Sequence, residues 1–347
     1  MKMLAARLYG PGDLRLDEID VPDINENEVL LKVKSAAVCG TDIRMYKNGY
    51  TGIDAEHPRT LCHEFSGVVE KTGKSVEGFS EGMRVSVAPN IGCGICNRCV
   101  RGDFHLCNKF QAFGINMDGA FAEYVKVPEK AVRQGNLMQM GDNISFDECA
   151  INEALSCAYN GFLKCDIHPG DSVLVVGAGP IGIMHAKLAR MAGAGKVFMN
   201  DLSAERLQVV REMDPGIQTY HGDDLKSFVY DNTEEGLDVC ITACPSPEVQ
   251  KATLGLMDYG GRINFFGGLP KPKENVSINT NLIHYKQLVV TGSTRANIDH
   301  FRKTMQFIDD GILEVGSLVT ATFKLSEIHK AFEMAEKASG LKNVIQM

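Results

Sequence analysis

Cys93, Cys96, Cys99 and Cys107 fall within fifteen residues in the spacing C-x2-C-x2-C-x7-C. Four thiolates this close can close a tetrahedron around one zinc ion. No position then stays open, so such a site is structural rather than reactive. An iron–sulfur cluster also takes four cysteines, but its usual spacings differ. Four unligated thiols in a glycine-rich loop are the remaining alternative. A second set is dispersed: Cys39 in V-C-G-T-D, His63 and Glu64 in L-C-H-E-F-S-G, and Glu153 in I-N-E-A-L-S. One sulfur, one imidazole and carboxylates suit a catalytic zinc that keeps a position for water or substrate. On spacing alone, a buried cysteine and a hydrogen-bonded histidine are the commoner explanation.

A third pattern, S-V-L-V-V-G-A-G-P-I-G, puts Gly177, Gly179 and Gly182 directly after an apolar run, with Pro180 and Ile181 opening a helix. The first glycine allows a tight turn, the second lets backbone approach a pyrophosphate, and the third lets helix and strand pack closely. Asp201 ends the next strand candidate, 19 residues after Gly182. A carboxylate there accepts hydrogen bonds from a ribose and repels a 2′-phosphate, which predicts NAD rather than NADP. Arg206 is a counter-signal, because arginine can hold a 2′-phosphate; its other readings are packing over the adenine or facing solvent. A glycine turn without a nucleotide is the alternative for the whole pattern.

These residues need elements to position them. Apolar runs at residues 29–33, 66–69, 84–88 and 121–127, punctuated by Gly, Pro and Asp, predict a β-rich region. Strands are predicted at 172–176, 196–201, 238–243, 261–266 and 288–292, with helices at 181–191 and 204–212. That alternation predicts a parallel sheet with helices on both faces. Two more helices are predicted, at 299–309 and 326–337. The chain of 347 residues is long enough for about two domains. Its 44% hydrophobic and 23% charged composition excludes a disordered chain, a collagen-like fibre or a coiled coil. Lys and Arg number 36 against 44 Asp and Glu, giving −8, and no basic block appears, which argues against nucleic acid as the main partner. No apolar run is long enough to span a membrane, and no signal peptide is read at the start. Eleven cysteines in a chain expected to be cytoplasmic argue for metal binding or burial rather than disulfides. Six of them (62, 149, 157, 165, 240 and 244) lie outside both metal sets and read mainly as small buried hydrophobes.

Taken together, V-C-G-T-D, C-H-E-F-S-G, the four-cysteine loop, G-D-N-I-S-F-D-E-C-A-I-N-E-A-L-S and G-A-G-P-I-G followed by Asp201 resemble the zinc-dependent medium-chain dehydrogenase/reductase superfamily over essentially the whole chain. Within it, the chain is most similar to the sorbitol and polyol-phosphate dehydrogenase branch, with threonine dehydrogenases next. The resemblance implies an α/β protein: a GroES-like β-rich catalytic domain at 1–152 and 293–347, and a Rossmann domain with a doubly wound parallel sheet at 153–292. It also implies a homodimer or homotetramer. Cys39 and His63 would be the firm catalytic-zinc ligands. Glu64 would be a third ligand or trade places with water, and Glu153 would bind directly or through water. Thr41 would hydrogen-bond the substrate alcohol, and Asp42 would orient His63 from behind. Cys93, Cys96, Cys99 and Cys107 would hold the structural zinc.

The chain departs from the family pattern in three places. Cys62 replaces the glycine usual before the ligand histidine, so the turn must tolerate a side chain. Ala154 stands where proline often follows the glutamate, and Arg44 stands where many relatives carry a proton-relay histidine. The reaction implied is reversible oxidation of a secondary alcohol to a ketone, with zinc lowering the alcohol pKa and hydride passing to NAD. A polyhydroxylated substrate fits polar residues such as Tyr50, Glu153, Ser293 and Arg295, although a surface position explains Arg295 equally well. A phosphorylated one needs a cationic anchor among Arg44, Lys47, Lys271 and Arg295. L-Threonine 3-dehydrogenase, a simple alcohol dehydrogenase, a non-catalytic NAD-binding sensor, a zinc module for nucleic acid and a redox switch are the competing readings.

Overall fold

The computed structural model describes residues 1–222 and 224–347. The chain divides into two compact units, Met1–Ser156 with Ala296–Met347, and Cys157–Arg295.

The first unit is built on strand Val29–Ala37, whose residues are nearly all buried. A near-continuous apolar run belongs inside a sheet rather than at its edge. It pairs antiparallel with Phe65–Thr72 on one side and with Lys342–Gln346 on the other. The full order runs from Leu137–Gln139 through Arg84–Val87, Phe65–Thr72, Val29–Ala37 and Lys342–Gln346 to Val319–Lys324, with Tyr124–Val127 also on Val29–Ala37. A separate sheet holds the hairpin Lys2–Gly10 and Asp13–Asp20. Phe121 contacts Phe332 edge-to-face at 5.8 Å, fastening helix Ile328–Glu336 to the β core. Burying one such ring stabilises by about 1.5–3 kcal/mol.

In the second unit, six parallel strands stand in the order Ile217–Tyr220, Lys196–Asn200, Ser172–Val176, Leu237–Thr242, Met257–Phe265, Val289–Gly292. Chain order therefore reverses on either side of Ser172–Val176, the arrangement of a Rossmann sheet, and ligands of such sheets bind beyond the strand ends at that reversal. Ser172–Val176 is buried throughout, and the glycine turn follows it directly. Five of these strands are apparent in the sequence. Ile217–Tyr220 is not: it is four residues long, and only Ile217 is fully buried. The predicted helix at 326–337 is a 3-10 turn, Leu325–Glu327, followed by the α-helix Ile328–Glu336. Among the described residues, no helix is long and apolar enough to cross a membrane.

Candidate metal centres and dinucleotide turn

Cys39 is the N-cap of helix Gly40–Asn48, and Asp42 sits in that helix's first turn. The fully buried Asp42 carboxylate accepts from the Cys39 amide at 2.9 Å and from the Cys62 amide at 3.2 Å. One side chain thus ties together the two segments that carry Cys39 and His63. Asp42 Oδ1 is 3.9 Å from His63 Nδ1, beyond hydrogen-bond reach. Asp42 therefore fixes the backbone around the ligands instead of bonding the imidazole directly.

Cys62 adopts φ +84°, a left-handed conformation that disfavours any residue but glycine. Its thiol donates to the Glu64 carbonyl at 3.3 Å. The loop that covers this turn contains Gly114 and Gly119, where a Cβ would come within 2.5 Å and 2.0 Å of Cys62 backbone atoms. The two glycines let the loop lie directly against the Cys62 backbone.

Among the described residues, Cys39, His63 and Glu64 present donor atoms all within 4.8 Å of one another. Glu153, in the first turn of helix Asn152–Cys165, is buried but lies outside that set. Burial works against a charged His63, yet the Cys39 sulfur and the Asp42 and Glu153 carboxylates outweigh it and raise the imidazole well above its ordinary range. An anionic environment with sulfur, nitrogen and oxygen donors fits a divalent zinc ion.

Glu64 has a partner that no motif in the chain announces. Lys342, on strand Lys342–Gln346, donates to both Glu64 oxygens, at 2.6 Å to Oε1. Both side chains are buried. Burial works against the ammonium, and the Glu64 charge more than restores it, so Lys342 stays protonated. The only available signal was a lysine opening an otherwise buried run, K-N-V-I-Q. Thr41, two residues beyond Cys39, accepts from Arg44 Nη2 at 3.0 Å. Tyr50 is exposed in the same unit, and Arg295 ends the other, in a left-handed turn at φ +56°. Asn160 Nδ2 donates to the Arg295 carbonyl at 2.8 Å and holds that turn.

The four-cysteine loop is equally well defined. Its sulfurs lie 3.5 Å apart for Cys96 and Cys99, 3.8 Å for Cys96 and Cys107, and 3.9 Å for Cys93 and Cys99. A zinc tetrahedron with bonds of about 2.3 Å has edges of about 3.8 Å, so the cradle has zinc dimensions. Backbone N–H groups of Ile95 and Cys96 point at the Cys93 sulfur and lower its pKa to about 6. At Gly92 a Cβ would lie 2.6 Å from the Cys99 sulfur, so only glycine fits there.

In the second unit, Gly177 is left-handed at φ +113°, and a Cβ at Gly182 would lie 1.8 Å from the Gly177 carbonyl oxygen. Gly179, N-cap of helix Pro180–Met191, faces open space; the nearest atom to a Cβ there is Arg206 Nη1, at 3.9 Å. Asp201 accepts from the Ala178 amide at 2.6 Å and from the Ser203 amide at 2.8 Å. Each carboxylate oxygen keeps a lone pair for a ribose hydroxyl. The turn therefore offers a helix N-terminus and a poised acid. It also brings the Arg206 guanidinium close.

Comparison with known proteins agrees with this construction. The alcohol dehydrogenase GroES-like domain matches residues 25–136, and the zinc-binding dehydrogenase family matches residues 180–310. Sorbitol dehydrogenase from Bacillus subtilis is 31% identical over 338 residues, spanning 96% of this chain and 93% of the relative. L-Threonine 3-dehydrogenase from Chromobacterium violaceum is 32% identical over 336 residues, spanning 96% and 95%. A Sinorhizobium meliloti protein described as a zinc-binding dehydrogenase, solved bound to NADP, superposes with a TM-score of 0.91 at 28% identity, covering 100% of both chains. Fold, donor sets and glycine turn define a zinc-binding dehydrogenase acting on alcohols. The chain belongs to the zinc-dependent medium-chain dehydrogenase/reductase superfamily.

Proposed function

We propose that this protein oxidises a secondary alcohol of a polyol or polyol phosphate to the ketose, reversibly, with zinc and NAD. The observation that carries the reading is the Cys39, His63 and Glu64 cluster, three unlike donors gathered within 4.8 Å. Four thiolates close a site; three mixed ligands leave room for an alcohol oxygen. When bound, zinc supplies Lewis acidity that lowers the alcohol pKa, and NAD supplies the hydride acceptor. Cys39 and His63 hold the metal, with Glu64 or Glu153 as the third protein ligand. Asp42 keeps the Cys39 and Cys62 backbones in place. Lys342 balances Glu64. Thr41 hydrogen-bonds the substrate hydroxyl; the carbinol hydrogen leaves as hydride and the hydroxyl proton leaves to solvent. Arg44 cannot serve as the proton's acceptor, because a guanidinium does not deprotonate in proteins.

Cys93, Cys96, Cys99 and Cys107 hold a second, structural zinc. Gly177, Gly179, Pro180, Ile181 and Gly182 bind the pyrophosphate, and Asp201 binds the adenosine ribose. Arg206, beside Gly179, is the residue through which NADP could compete. Asp201→Ala is therefore expected to weaken NAD and narrow its preference over NADP; a wild type that already prefers NADP overturns the NAD assignment.

The testing experiment is an NADH-absorbance screen of the zinc-loaded protein on sorbitol, xylitol, arabitol, galactitol, their phosphates, threonine and simple secondary alcohols, with a chelated control. Zinc-dependent turnover of one polyol family supports the proposal. Turnover of threonine alone selects the second reading, L-threonine 3-dehydrogenase, which the 32% identity to that enzyme favours equally. NAD binding with no turnover across the panel points first to a substrate outside it and second to a non-catalytic sensor. We further propose a cytoplasmic homodimer or homotetramer with no nucleic-acid partner, to be checked by light scattering.

A further inference from the structure

Of the cations available as substrate anchors, one stands beside the hydroxyl proposed to meet the substrate. Arg44 lies one turn after Thr41 on helix Gly40–Asn48 and donates to Thr41 Oγ1 at 3.0 Å. Its side chain is exposed, and among the described residues no carboxylate pairs with it. Lys47, on the same helix, is already paired with Glu336 at 3.2 Å. Lys271 is exposed in the other unit, whereas Arg295 has its backbone committed to the turn that Asn160 holds.

By accepting from Arg44, Thr41 keeps its own hydroxyl hydrogen free to donate. Arg44 uses one of five N–H donors in this bond, and the rest of its planar fork matches the paired oxygens of a carboxylate or phosphate. Two hydrogen bonds in series, guanidinium to Thr41 and Thr41 to the substrate oxygen, span at most about 6 Å. An anionic group held by Arg44 would therefore sit within a few bonds of the carbon being oxidised. The chain as a whole carries a net charge of −8 and does not favour an anion, so the selectivity must be local.

We infer that Arg44 is a specificity-determining residue, and that the preferred substrate is a hydroxyl-bearing anion, a phosphate monoester or a carboxylate, rather than a neutral polyol. This rests on the alcohol-oxidising reading of the Cys39, His63 and Glu64 site. In that setting Arg44 selects by charge and fork geometry and transfers no proton.

The test compares kcat/KM of the zinc-loaded full chain for sorbitol and xylitol, for their phosphate esters, and for threonine and an aldonate. The wild type is expected to favour one anionic class over the neutral polyols by at least about tenfold. Arg44→Gln is expected to cut that ratio by at least about tenfold, the effect of one charge-assisted hydrogen bond. Arg44→Lys, which keeps charge without the fork, is expected to recover part of it. Raising salt is expected to lower kcat/KM for the anion more than for the polyol. The phosphate and carboxylate arms show which anion is meant. A wild type that prefers neutral polyols, or an unchanged ratio in Arg44→Gln, overturns the inference. If no alcohol turns over, the alcohol-oxidising reading fails separately. Calorimetric binding of the same phosphate esters and carboxylates then decides on Arg44: weaker binding in Arg44→Gln supports its role, and equal binding overturns it.

Discussion

Cys93, Cys96, Cys99 and Cys107 come from one loop of fifteen residues, whereas Cys39, His63, Glu64 and Lys342 come from segments about 300 residues apart in the chain. The loop gathers like donors into a closed cradle of zinc dimensions. The dispersed site gathers unlike donors in the buried core, where charges must be balanced by other charges. A short loop closes at small entropic cost and needs little else of the fold. The dispersed site exists only after the sheet has formed. The two should therefore fail differently when a ligand is removed.

The largest expected effect follows directly. His63→Ala or Cys39→Ser should abolish turnover and remove one of two bound zinc ions, measured by atomic absorption, while the thermal transition barely moves. Cys96→Ser should do the reverse, losing the other zinc and lowering the transition before chemistry is touched. Equal loss of activity and stability in both variants would break the comparison. Next in size is Lys342→Met, which leaves Glu64 buried without its counter-charge. Breaking a buried pair costs about 3–5 kcal/mol, readable by urea unfolding. A variant as stable as wild type would mean that Glu64 has another partner or takes up a proton.

Gly119→Ala is smaller. The added methyl would meet the Cys62 carbonyl at 2.0 Å, and such overpacking costs about 1–3 kcal/mol. The same change at Gly102, which is left-handed at φ +86° with nothing within 4 Å, should cost less, since it carries backbone strain without a clash. The last variant sharpens the role of anions around a buried imidazole. His185 is completely buried, more so than His63; among the described residues neither ring nitrogen has a hydrogen-bond partner, and burial lowers its pKa to about 3. Unfolded, it would titrate near 6.5. Between those values the unfolded chain holds one more proton, so stability falls as pH drops below about 6.5, by at most about 1.4 kcal/mol per pH unit. His185→Leu should flatten the dependence of the unfolding midpoint on pH between 6 and 4, and an unchanged slope would assign it to other groups.

What was readable in the sequence follows the same division. The thiol spacing and the glycine turn carry their geometry locally, so their residues alone suggested a zinc cradle and a dinucleotide turn. Most strands of the parallel sheet were equally visible, because Ser172–Val176 and its neighbours are continuous apolar runs. The dispersed site rested on resemblance. Nothing in K-N-V-I-Q says that its lysine faces Glu64, since 278 positions separate them and only sheet order brings them together. The strand Val319–Lys324 was also hidden: its side chains alternate between exposed and partly buried, the pattern of an edge. Asp42 looked like a partner for His63 because a carboxylate near a ligand histidine usually is; the structure spends it on two backbone amides.

Strand Lys342–Gln346 sits between Val29–Ala37 and Val319–Lys324. On a ribosome adding roughly 5–20 residues per second, about 15–60 s separate the emergence of Ala37 from that of Lys342. Throughout that interval the nascent first unit has a gap beside its central strand, and Glu64 has no counter-charge. Residues 157–295 are made meanwhile and include every strand of their own sheet. The order of maturation is thus written into connectivity: the nucleotide-type unit can finish during synthesis, and the metal centre is completed last. A chain stopped before residue 342 would keep its glycine turn and still lack a finished place for chemistry, so incomplete products would be silent rather than promiscuous.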